Sequence, residues 1–155
     1  MFGGYRDDIR FAALSLDGRG VSLFGDCFIR LKQSFIESRG SVFEGNSVVL
    51  LEKVAPIDMP KFIQGRRASW RHRNDLAIAK LANDLRKNGN VKQAAIAKAL
   101  IVDATIADQN EFVEVHIYGR VTADSFEEVS MPASHPDYPR VRRACKALNI
   151  SFQTR

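Results

Sequence analysis

Apolar and polar residues alternate through EFVEVHIYG, Glu111 to Gly119. A strand sends successive side chains to opposite faces. Val113, Val115 and Ile117 therefore share one face, and Phe112, Glu114, His116 and Tyr118 share the other. The first set predicts a core face. The second sets a carboxylate and an imidazole between two aromatics. Two readings fit it: the wet face of a half-exposed strand, or a strand carrying a catalytic glutamate. Glu111 is out of phase with Glu114, so these two carboxylates do not form a same-face pair.

The same patterning predicts the other elements. IRFAALSL (Ile9 to Leu16) reads as a strand closed by the turn signal DGRG. CFIRLK alternates Cys27, Ile29 and Leu31 against Phe28, Arg30 and Lys32, which predicts a half-buried strand with Cys27 inside. SVVLLEK (Ser47 to Lys53) predicts a more fully apolar strand, and Pro56 and Pro60 punctuate the connection after it. With Asn74 as N-cap, Ile78, Leu81, Ala82 and Leu85 form one helical stripe that ends at Asn88 to Asn90. VKQAAIAKALIV (Val91 to Val102) predicts a second, central helix. EEVSMP is a further strand. Asp137 caps a helix with Pro139 in its first turn, and Val141, Ala144, Cys145 and Leu148 are its apolar face. Asn149 ends that helix, and ISFQ is the last strand. Strands at both ends with helices grouped between them predict an α+β fold.

A chain of 155 residues with 45% hydrophobic and 26% charged residues suits a single domain, 1–155, with its own core. No apolar run approaches the roughly 20 residues of a membrane span. The first residues, MFGGYRDDIRF, lack the apolar block of a signal peptide, so the expected location is cytoplasmic and no membrane partner is expected. Cys27 and Cys145, and His72, His116 and His135, lack ligand spacing, so no metal site is expected. Both cysteines read as buried thiols. The net charge of +5 permits a polyanionic partner without demanding one.

Three further stretches bear on chemistry. In GVSLFGDCFIRLK and RGSVFEGNSVV, Gly25 permits close backbone approach, and Arg39, Ser41, Asn46 and Ser47 are donors suited to phosphate or ribose oxygens. No GxGxxG or Walker pattern accompanies them, and glycine turns between strands explain the same residues. In RRASWRHR, Arg66, Arg67, Arg71 and Arg73 surround Trp70, as in sites where guanidinium groups hold phosphates and an indole stacks on a base. A solvated helix start with one buried tryptophan is the plainer reading. Gln93 to Ile106 has the outline of a helix-turn-helix, but Ile101 stands where the turn glycine would be, and a buried helix fits better.

The order LFGDCFIRLK, RGSVFEGNS and VEVHIYGRVTADSFEEVSMP resembles the ADP-ribosyltransferase fold, nearest to DNA-targeting toxins of that family and their relatives. The resemblance implies mixed sheets with a central helical segment, and NAD as the molecule cleaved. It implies transfer of ADP-ribose to a nucleic-acid or protein acceptor. Glu114 takes the position of the catalytic glutamate and Ser41 that of the Ser/Thr beside NAD. Phe24, with Gly25, stands where the family has Tyr-Gly. Arg39 and His116 join Ser41 and Phe24 as NAD-side candidates. The family's first-strand Arg or His has no clear counterpart, with only Arg6 and Arg10 near the start. Phe112 occupies the position where arginine-modifying members carry Glu or Gln, which argues against arginine as acceptor. Two alternatives stand beside this reading: a non-enzymatic nucleic-acid-binding domain using Arg66 to Arg73, and an inactive relative serving as an interaction module. The sequence leaves the oligomeric state open.

Overall fold

The computed structural model describes residues 7–47, 49, 64–88, 92–102 and 110–155. Its largest sheet has four antiparallel strands. These are β1 (Ile9–Ala13), β3 (Gly40–Phe43), β4 (Arg67–Ser69) and β7 (Glu114–Tyr118), in the order β1-β7-β3-β4. β2 (Phe28–Leu31), β8 (Phe126–Met131) and β9 (Ser151–Thr154) form a second sheet, and β5 (Ile101–Val102) pairs with β6 (Glu111–Phe112). The helices whose bounds lie among the described residues are α1 (Gln33–Ile36), α2 (Arg73–Asn88), α3 (Gln93–Leu100) and α4 (Tyr138–Ala147). The fold class is α+β, as the grouping of elements implies. The C-terminal part adds one β-α-β unit, in which α4 connects β8 to the parallel strand β9.

The core forms on one face of the large sheet. Val42 of β3 is opposite Val115 of β7, and Val42 is also opposite Ala68 of β4. This row packs with Val113, Ile117, Trp70, Leu76, Leu81 and Leu100 in one buried cluster. Burying each such side chain is worth about 1.5–3 kcal/mol relative to exposure. Val113, Val115 and Ile117 thus fill the core face that their alternation predicts. Lys80 fastens α2 to the sheet edge: its Nζ donates to the Glu44 carbonyl at 2.8 Å and to Glu111 Oε2 at 2.7 Å.

Several elements depart from the sequence expectation. Cys27 is exposed and Ile29 is 46% exposed, β2 being the edge strand of its sheet; Cys145 is buried, as expected. The register of β2 on β8 also slips at Arg30/Leu31, which interrupts the alternation. Ser47 and Val49 have helical rather than strand backbone, and the rest of the predicted third strand lies outside the described residues. α2 starts at Arg73, after a 3₁₀ turn at Trp70–His72, so Asn74 lies within the helix. Among its described side chains Leu76 and Leu81 are buried, while Ile78 is 60% exposed. α3 ends at Leu100 and Ile101 enters strand β5, so a strand residue stands where a helix-turn-helix would have its turn; residues 103–106 lie outside the described residues. Around α4, Ala144 and Leu148 face solvent and only Cys145 is fully buried. Asp137 is the N-cap residue of α4, as expected, but its carboxylate holds Arg140 and makes no hydrogen bond to the helix backbone.

Candidate functional site

The second face of the large sheet carries the polar residues. Antiparallel partners share a face, so the register sets Phe11, His116, Ser41 and Ser69 in one row. The next row on that face is Ala13, Glu114, Phe43 and Arg67. Glu114 and His116 are neither wet nor loosely held: each residue is 5% exposed. The Ser47 backbone N–H donates to Glu114 Oε2 at 2.8 Å. His116 Nε2 lies 3.0 Å from the same oxygen. A carboxylate oxygen accepts, so this contact calls for the proton on Nε2. The imidazole stands edge-on to the Phe11 ring, with centroids 5.2 Å apart, and nearly parallel to the Phe43 ring at 6.1 Å.

The physical cause of this arrangement is local. β7 lies between β1 and β3 and bears buried residues on both faces, so its polar side chains must be hydrogen-bonded. The chain leaves β3 at Phe43 and turns back, and Asn46 Oδ1 accepts the Val49 N–H at 3.4 Å, which starts a helical turn at Ser47. The first N–H groups of such a turn lack helical acceptors. Glu114 supplies one. Ser47 itself is fully buried, and its Oγ has no hydrogen-bond partner among the described residues.

Ser41 shares this face with Glu114, and its Oγ accepts from Arg67 Nη2 at 3.2 Å. Arg67, grouped by sequence with the basic cluster, therefore belongs beside Ser41. Arg39 is differently engaged. Its guanidinium donates to the carbonyls of Phe35, Tyr118 and Arg120 at 3.0–3.1 Å and lies 3.6 Å over the Phe35 ring. Phe24 sits in a 3₁₀ turn, Ser22–Phe24, and is 72% exposed. Among the described residues no ring contact joins it to Glu114, Ser41 or His116. Arg10 donates to the carbonyls of Asp7 and Ile9, and Arg6 lies outside the described residues.

The basic cluster is split by its surroundings. Trp70 is 8% exposed within the core, and the Arg73 guanidinium covers its ring at 4.5 Å while donating to the Trp70 carbonyl at 2.9 Å. Arg66 pairs with Glu44. Arg67 and Arg71 are exposed. An indole packed in this way does not offer a free face to a base. Sequence spacing alone missed Phe11, Phe43 and Arg67 as neighbours of Glu114 and His116. Pairing IRFAA with VEVHI, and SVF with both VEVHI and RAS, in antiparallel register would have found them.

The environment of each thiol disfavours its thiolate form. Partial burial, and then the nearby Asp26 carboxylate, push the Cys27 thiol up; burial does the same to Cys145. No group of three or more His, Cys, Asp or Glu residues among those described is arranged to hold a metal. No described helix is long and apolar enough to cross a membrane. The chain matches no protein-family model, and comparison with curated proteins and with solved structures returns no match.

Proposed function

We infer that this domain is an NAD-dependent ADP-ribosyltransferase whose reacting carboxylate is Glu114. One observation carries the reading: Glu114 is fixed on the central strand by the Ser47 N–H and His116, with Ser41 and Arg67 on the same sheet face. Cleaving the nicotinamide–ribose bond develops positive, oxocarbenium-like charge on the ribose. A preorganised carboxylate stabilises that charge more than it stabilises the ground state. His116 holds the carboxylate in place. Arg67 and the Ser41 hydroxyl are donors suited to the diphosphate and ribose oxygens. The acceptor is a nucleic acid or a protein.

A second reading has its own observation. Glu114 is 5% exposed, and Oε2 already takes both donors. That is also how a structural tie inside an inactive interaction module would look.

Nicotinamide release from NAD separates the two. Glu114→Gln keeps the size and removes the charge, and is expected to slow release by roughly 10²-fold or more with little change in NAD affinity. Glu111→Gln is the control, since Glu111 is exposed on strand β6 and pairs with Lys80. A wild-type protein that neither binds nor cleaves NAD supports the structural tie. Release unaffected by Glu114→Gln assigns the chemistry to another residue.

A further inference from the structure

The charge of this protein is unevenly placed. Residues 138–155, YPRVRRACKALNISFQTR, contain five basic side chains and no acidic one, which equals the net +5 of the whole chain. The remainder of the sequence is balanced. Two of the five are committed within the fold: Arg140 pairs with Asp137 at 2.9 Å, and Arg155 stacks on Phe28 at 4.3 Å and donates to the Gly18 carbonyl. The other three, Arg142, Arg143 and Lys146, are exposed and have no carboxylate partner among the described residues.

Those three are not scattered. Pro139, Arg142, Arg143 and Lys146 fall at i, i+3, i+4 and i+7 of α4, which is one helix face. With Tyr138 they line an open groove of ≈ 510 Å³. Tyr138 is a fixed wall. Its hydroxyl shares a 2.6 Å hydrogen bond with Thr154 Oγ1, and its ring stands edge-on to Phe152 at 5.3 Å. Solvated surface cations are ordinarily interspersed with carboxylates, and this face has none.

We propose that the α4 groove is a phosphodiester-binding surface that seats single-stranded nucleic acid. The two guanidinium groups suit bidentate contact with phosphate oxygens, and the lysine adds a point charge one turn along. The held tyrosine ring supplies the aromatic edge on which a base packs. This surface is separate from the Arg66 to Arg73 cluster, where Trp70 is buried. It does not depend on NAD chemistry, because its readout is binding alone.

The test is a fluorescence-anisotropy titration of a labelled single-stranded oligonucleotide with the full chain, without NAD, over a series of salt concentrations. The wild type is expected to bind, with affinity falling as salt rises. Replacing Arg142, Arg143 and Lys146 together by Ala is expected to weaken binding at least tenfold at low salt. It is also expected to flatten the log–log salt slope by about 2, at roughly 0.7 per lost phosphate contact. Arg140→Ala, which removes a paired cation, is expected to leave the slope unchanged. The three side chains are exposed, so the melting temperature of the triple variant is expected to match wild type and excludes misfolding. Equal affinity and slope in wild type and triple variant would overturn the proposal. So would the absence of oligonucleotide binding together with capture by phosphatidylserine vesicles, which would make the face a lipid-headgroup site.

Discussion

Glu114 and His116 answer to the same physics whichever chemistry they serve. A carboxylate withdrawn from water is tolerated only when hydrogen bonds replace its hydration. Glu114 Oε2 has two, from Ser47 and from His116, and loss of either leaves buried polarity uncompensated. His116→Ala is therefore expected to destabilise the protein by about 3 kcal/mol or more, as for other broken buried pairs. His116→Gln, which retains an N–H donor, should recover part of that loss. Urea unfolding of the two variants beside wild type measures both. Equal midpoints for all three would mean that water replaces the imidazole without penalty. Arg39 shows how a residue can be legible in kind and misread in role. A donor of five N–H groups was evident from its type. Only the fold shows that carbonyls at the end of β7 and after it take two of them, and the Phe35 carbonyl a third. Phe24, 72% exposed, is likewise placed by a turn that no periodicity marks.

Elements were legible where one face meets a core and ambiguous where it does not. β7, β8 and β9, and the two ends of α4, follow their patterns because alternation, the Pro139 position and Asn149 at φ 54° each have a local cause. The run SVVLLEK is apolar throughout most of its length, and periodicity cannot separate a buried strand from a buried helix in so short a run. The useful signal was Asn46, whose side chain accepts the Val49 N–H and so begins a turn of helix. α2 was right in kind and largely in phase: Leu81 is buried and Leu85 packs against the core as the stripe predicts, but taking Asn74 as its cap selected Ile78 and passed over Leu76, which the core receives. How closely α1 meets β3 also depends on one residue. A Cβ on Gly40 would lie 2.5 Å from Ile36 Cγ2 and 2.9 Å from the Ile36 carbonyl oxygen, and backbone cannot step aside as a side chain can. Gly40→Ala is expected to cost about 1–3 kcal/mol through overpacking. A thermal melt reads it, and an unchanged melting temperature would show that α1 is free to shift.

At the scale of the molecule, β7 is the strand on which the large sheet depends, with β1 on one side and β3 on the other. Amide hydrogen exchange should therefore be slowest at Val115 to Ile117, and faster in β9, which has β8 as its one neighbour among the described residues. Exchange that is uniform across the two sheets would contradict this ranking. Chain order gives the same feature a temporal meaning. Among the described residues β1 has no partner strand but β7, and β3 is bracketed by β4 and β7, so the large sheet cannot close until residues 114–118 have left the ribosome. At roughly 5–20 residues per second, β1 waits on the order of 5–20 s for the strand it pairs with. During that interval Phe11, Ala12 and the emerging β3 and β4 hold unpaired edges and uncovered apolar faces. Chains truncated before His116 are thus expected to leave β1 and one edge of β3 unpaired, and the emergence of β7 to be the step that lets the large sheet close.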